Sequence, residues 1–113
     1  MPFKVRVSAK LLDIVEREGI IQDEIAEALA AVDEAATETT KPIGLQSTVE
    51  TITTTNSIWY RLRPAKAAKY RIVFSLQRKS GYLTVEGIFR RDDKTYLRIK
   101  TLYDNTPERG QPE

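Results

Sequence analysis

Residues 58–90, IWYRLRPAKAAKYRIVFSLQRKSGYLTVEGIFR, decide the fold. Ile58, Tyr60 and Leu62 alternate with Trp59, Arg61 and Arg63, the two-residue period of a half-buried strand. Pro64–Ala68 reads as a loop. Beyond it Tyr70, Ile72, Phe74 and Leu76 alternate with Arg71, Val73, Ser75 and Gln77. Lys79-Ser80-Gly81 is a credible hairpin turn. Leu83, Val85, Gly87 and Phe89 then alternate with Thr84, Glu86, Ile88 and Arg90, so a hairpin and a third antiparallel strand are predicted.

Working back from this block, Thr48–Thr55 is rich in β-branched residues, which suit a pleated surface and predict a further strand, with a turn at Asn56-Ser57. Thr37–Pro42 reads as a loop. A helix is predicted from about Ile21 to Ala36, its apolar stripe formed by Ile21, Ile25, Ala28, Leu29, Val32 and Ala36 and its acidic face solvated. Leu11, Leu12, Ile14 and Val15 mark a preceding helix that stops at Gly19, and Ser8 can cap its start. Phe3, Val5 and Val7 alternate with Lys4 and Arg6 as an N-terminal strand. The expected fold is α+β: a strand, a helical hairpin, then a three- to four-stranded antiparallel sheet with the helices on one face. One domain is expected over residues 1–103. Residues 104–113 hold Pro107, Gly110 and Pro112 with little to bury, and read as a mobile tail.

The chain has 113 residues with no Cys and no His. Disulfides, thiolate chemistry, a Ser-His-Asp triad and Cys- or His-ligated metals are thereby excluded, and no cofactor or metal is expected. No apolar run approaches the roughly 20 residues that a membrane-spanning helix needs. MPFKVRVSAK lacks the apolar core of a secretory signal, so a cytoplasmic protein with no membrane partner is expected. Charge is the most informative feature. Residues 1–58 carry 5 Lys/Arg against 10 Asp/Glu, whereas residues 59–113 carry 13 against 6. Between Arg61 and Lys79 there are seven basic residues and no acidic one. This asymmetry fits a surface for a polyanion; basic residues that guard a strand edge would read the same way. Arg61, Arg63 and Arg71, with Arg90 at a strand end, are expected to converge on the sheet face that the helices leave uncovered.

Tyr60-Arg61-Leu62-Arg63, Tyr70-Arg71-Ile72-Val73-Phe74 and Arg90 followed by Tyr96 resemble the sheet of the RelE/ParE superfamily of small toxins, whose order is β-α-α-β-β-β. The resemblance implies a toxin of a type II toxin–antitoxin system. Its ribosome-dependent members cut mRNA in the ribosomal A site without metal, by attack of the substrate 2′-hydroxyl on the adjacent phosphate. Carried over by position, it implies catalytic roles for Arg61, Arg63, Arg71, Arg90 and Tyr96. Trp59, Lys66, Lys69, Arg78, Lys79, Arg91 and Lys94 are RNA-binding candidates; Trp59 is placed either stacked on a base or packed against a helix. Tyr96, Glu86 or Lys94 would move the 2′-hydroxyl proton. The implied partners are a cognate antitoxin, the ribosome and mRNA. The longer segment between Leu45 and Trp59, the longer Pro64–Lys69 loop and Phe89-Arg90 depart from the family pattern. The alternatives are a ParE-like toxin that inhibits DNA gyrase by binding, and a catalytically inactive RelE-fold protein that binds nucleic acid.

Overall fold

A computed structural model describes residues 3–37, 43, 46, 48–53, 58–64, 69–92 and 94–104, without the side chains of 96, 98, 100, 103 and 104. The predicted turn at Asn56-Ser57, Lys66, the side chain of Tyr96 and the segment 105–113 therefore lie outside the described residues.

The N-terminal strand β1 (Lys4–Val7) leads into helices α1 (Leu11–Glu18) and α2 (Gln22–Ala36). The expected Ser8 cap of α1 is corrected: the N-cap is Lys10, without a side-chain cap bond, and Ser8 Oγ accepts the Lys10 N–H at 3.2 Å upstream of the helix. Gly19 closes α1 in the left-handed conformation (φ 69°), where a side chain would be strained. Four strands follow, β2 (Val49–Thr53), β3 (Ile58–Leu62), β4 (Tyr70–Gln77) and β5 (Tyr82–Arg90), and then a helix, α3 (Thr95–Asp104). The sheet order is β1-β5-β4-β3-β2, with β1 parallel to β5 and the other neighbours antiparallel. The expected α+β plan is thus present, with all four predicted C-terminal strands. The β4–β5 turn ends on Gly81, whose φ of 77° and N–H bond to Gln77 O (2.8 Å) close the hairpin.

Two apolar layers hold the sheet. Leu62, Tyr70, Ile72, Phe74, Leu76, Leu83, Val85 and Ile88 pack against Leu11, Val15, Ala28, Val32 and Ala36 of the hairpin. On the other face Ile52, Trp59, Val73 and Phe89 pack against Ile99, with Leu102 alongside. Fully burying a side chain of this size is worth about 1.5–3 kcal/mol, so both layers matter to stability.

Two further expectations are corrected. The second face is not uncovered, because α3 lies on part of it. That helix escapes period counting: Leu97, Arg98, Ile99 and Lys100 alternate like a strand, yet Ile99 is buried and Leu97 is 64% exposed. Ile21 does not join the α2 stripe. It stands outside the helix as its N-cap and is largely exposed.

A one-residue irregularity in β5 has the largest effect on the site. Val73 pairs with Gly87, but the next residue, Phe74, pairs with Val85, so Glu86 is an extra residue on the β5 side. Such a bulge reverses the facing of everything beyond it. Ile88 and Arg90 consequently turn toward the helical hairpin, and Phe89 toward α3.

Candidate nucleic-acid interface

Four arginines on or just beyond three adjacent strands build a basic corner on the α3 side of the sheet. Arg61 and Arg63 alternate with the inward Leu62 on and just after β3, and the antiparallel register Leu62↔Ile72 brings Arg63 opposite Arg71. The β4–β5 ladder continues past Tyr70↔Arg90: the Arg91 N–H donates to Lys69 O at 2.8 Å. Alternation beyond Phe89 and Arg90 then returns Arg91 to the face of Arg71. Burial pushes the Arg71 pKa down, and the positive charges of Arg91, Arg61 and Arg63 push it further. An arginine stays protonated even so, and the corner holds concentrated positive charge. Arg71 Nη1 also donates to Tyr70 O at 2.9 Å.

Among the described residues, the Glu50 carboxylate belongs to this corner. Glu50 on β2 faces Arg61 in register and accepts from its Nη2, while Arg63 Nε lies 3.9 Å from Glu50 Oε1. The Arg61 side chain is 11% exposed and that of Glu50 43%. Glu50 supports a largely buried guanidinium. Sequence reading missed this partner, although Glu50 is the acidic residue of the strand that precedes β3.

Arg90 stands elsewhere. Its Nη2 and Nη1 donate to Glu24 Oε1 (2.9 Å) and Oε2 (3.1 Å), and Nη2 also reaches Gly19 O (3.0 Å). Glu24 Oε1 accepts the Ile21 N–H at 3.1 Å, and Glu24 Oε2 accepts from the Tyr70 hydroxyl. These bonds hold the Glu24 carboxyl at about 2, against 4.5 ordinarily; the Tyr70 bond contributes most, then the Ile21 N–H, then Arg90. Burial, followed by the bond to Glu24, raises the pKa of Tyr70. The expected convergence of Arg90 with Arg61, Arg63 and Arg71 is corrected: the bulge sends Arg90 to the hairpin side. The acidic face of α2, read as solvated, contributes the structural carboxylate of Glu24.

The remaining candidates divide by position. Trp59 is fully buried in the α3-side layer, so of its two readings packing against a helix is the one found and stacking on a base is removed. Tyr60 stacks on Phe74 at 5.3 Å between ring centres. Lys69, exposed at the start of β4, holds its ammonium 5.2 Å from the centre of the Tyr70 ring. Exposed Lys94 precedes α3, its N–H bonded to Asp92 Oδ1 at 2.8 Å. Tyr96 has its backbone in the first turn of α3. Arg78 and Lys79 follow the far end of β4, about 20 Å of strand from Arg71, and Arg78 Nη2 donates to Tyr60 Oη at 3.2 Å. Glu86 is 1% exposed and accepts from Ser75 Oγ at 3.0 Å, so it is neither an ion-pair partner of Arg90 nor an open base.

The chain is similar to a protein in the crystal structure of the archaeal RelE–RelB complex from Pyrococcus horikoshii OT3, with a TM-score of 0.54 and 16% sequence identity, over 82% of this chain and 99% of that one. The fold is RelE-like. At that identity the likeness concerns the RelE-like architecture: the N-terminal strand, helical hairpin and C-terminal strands. No protein-family model and no curated protein matches the sequence. No described helix is long and apolar enough to cross a membrane. Nor does any group of three or more described His, Cys, Asp or Glu residues form a metal site.

Proposed function

We propose that this chain is the toxin of a toxin–antitoxin pair and that it acts on RNA through the arginine corner. The observation that carries the reading is the gathering of Arg61, Arg63, Arg71 and Arg91 on one corner of a RelE-like sheet, with the Glu50 carboxylate beside Arg61 and Arg63. Arginine presents a planar fork of donors to phosphate and remains charged at any physiological pH. In the proposed reaction the RNA 2′-oxygen bonds to phosphorus and the bond from phosphorus to the 5′-oxygen breaks. A 2′,3′-cyclic phosphate and a 5′-hydroxyl are left. The corner would stabilise the extra negative charge on the five-coordinate phosphate, and Arg71, central in it, would contribute most. Lys94 and Tyr96, before and within the first turn of α3, are the groups proposed to exchange protons with the 2′- and 5′-oxygens. The solved RelE–RelB complex supports an antitoxin as the partner, and ribosome-bound mRNA is the proposed substrate.

A second reading has its own observation. Arg90 is occupied by Glu24 and so lies outside the corner, which favours a protein that binds its target without cutting it, as a ParE-like gyrase inhibitor would. Induced expression separates the two. RNA cleavage predicts arrested translation and mRNA fragments with 5′-hydroxyl ends. Gyrase inhibition predicts DNA damage with translation intact, and that outcome would overturn the RNA reading.

A further inference from the structure

The extra residue at Glu86 decides which way the two arginines at the end of β5 face. Before the bulge, Thr84 and Glu86 share the α3-side face; beyond it Ile88 and Arg90 have changed sides, while Gly87 and Phe89 hold that face. Arg91 follows in phase with Phe89. Its N–H bond to Lys69 O shows that β4 still guides the chain there. The neighbour that places it is Arg71, opposite Phe89 in the ladder.

The two adjacent arginines have unlike surroundings. Arg90 directs both terminal nitrogens to Glu24, and one of them to Gly19 O as well. Glu24 is in turn fixed by Tyr70 and by the Ile21 N–H. This arrangement joins the α1–α2 turn, the start of α2 and the ends of β4 and β5. Arg91 is exposed, and its charge presses on Arg71 more than any other charge does.

We propose that Arg91, not Arg90, is the second phosphate-binding arginine of the corner, and that Arg90 is a structural pin between hairpin and sheet. The proposal rests on reading the corner as a polyanion site. The extra residue at Glu86 turns Arg90 to the hairpin side and leaves Arg91 in phase with Phe89 and Arg71.

The test uses the full chain and two probes, a fluorescein-labelled single-stranded ten-uridine RNA and inorganic tripolyphosphate. Arg91→Ala should weaken RNA binding about ten-fold and reduce the slope of log affinity against log salt by about 0.7, the loss of one phosphate contact to a single strand. Its Tm should match wild type. Arg90→Ala should lower Tm by several degrees while RNA affinity, measured well below that Tm, stays within two-fold. Should Arg90→Ala fail to fold, Arg90→Lys retains one charge toward Glu24 and should bind RNA as wild type does. The proposal is overturned if an Arg90 variant that folds weakens binding as much as Arg91→Ala, or if Arg91→Ala binds like wild type.

Tripolyphosphate separates this proposal from the functional reading beneath it. If wild type ignores RNA but gains Tm with tripolyphosphate, and the gain vanishes in Arg91→Ala and persists in Arg90→Lys, the RNA reading fails and the assignment of Arg91 stands. A gain that survives in Arg91→Ala, or no gain in wild type, overturns the assignment.

Discussion

Arg90 and Glu24 meet in a two-pronged ion pair, Nη2 to Oε1 at 2.9 Å and Nη1 to Oε2 at 3.1 Å, that ties the end of β5 to the first turn of α2. The same carboxylate completes the N-terminal cap of α2 and receives the hydroxyl of the buried Tyr70. The pair therefore closes a contact between the hairpin and the sheet, and its consequences fall on stability.

Acid should reveal it. The Glu24 pKa is held at about 2 in the folded chain against 4.5 ordinarily. A carboxyl depressed by folding contributes stability that is fully present above the unfolded value and is lost as pH falls through the folded one. Urea midpoints should accordingly decline between about pH 4.5 and 2. Glu24→Gln should be less stable at pH 7 and show a flatter decline in that window. An unchanged slope would show that Glu24 does not carry the effect.

Arg71→Ala should reduce RNA cleavage on the order of 10²-fold or more, the usual effect of removing one charge-stabilising donor. Growth arrest on induction should be relieved in parallel. The circular dichroism spectrum and Tm should stay close to wild type, because Arg71 ends in the corner and not in either apolar layer. Equal toxicity of the variant and wild type would take Arg71 out of the mechanism.

Glu50→Gln should bind single-stranded RNA about three- to ten-fold more tightly, the size expected of one nearby charge at a partly exposed site. Glutamine keeps an acceptor for Arg61 and removes the charge that competes with phosphate. Anisotropy titrations at two salt concentrations would measure the change, and a loss of affinity would contradict the role given to Glu50.

Trp59→Ala should cost about 3–5 kcal/mol, as expected when a large buried aromatic leaves a cavity. Denaturant unfolding would measure it. RNA affinity at temperatures where the variant is folded should be unaffected, the opposite of what a base-stacking tryptophan would show.

Much of this was legible in the chain. Apolar–polar alternation over 58–90 marked three strands, because each has one face against the hairpin. Gly19 and Gly81 punctuate where a left-handed backbone is required. The β-branched run at 48–55 was enough to expect β2. Relations between elements were less legible. Helix α3 hides in a segment whose basic and apolar residues alternate, and only tertiary packing on Trp59, Val73 and Phe89 selects a helix there. The bulge had a signal in Gly87, since glycine inside a strand marks an irregularity. That signal does not say which neighbour becomes the extra residue. Glu50 and Glu24 were invisible as partners because each pairs with a residue distant in the chain, Arg61 and Arg90.

Helix α3 has a further consequence for the reach of the corner. Because it covers part of the sheet's second face, the basic strip among the described residues spans the ends of three adjacent strands, about 10 Å across. On the proposed RNA reading, that footprint would suit a couple of nucleotides of a lone, already splayed strand. A molecule with so small a grip would depend on a larger assembly to hold its target straight and present it.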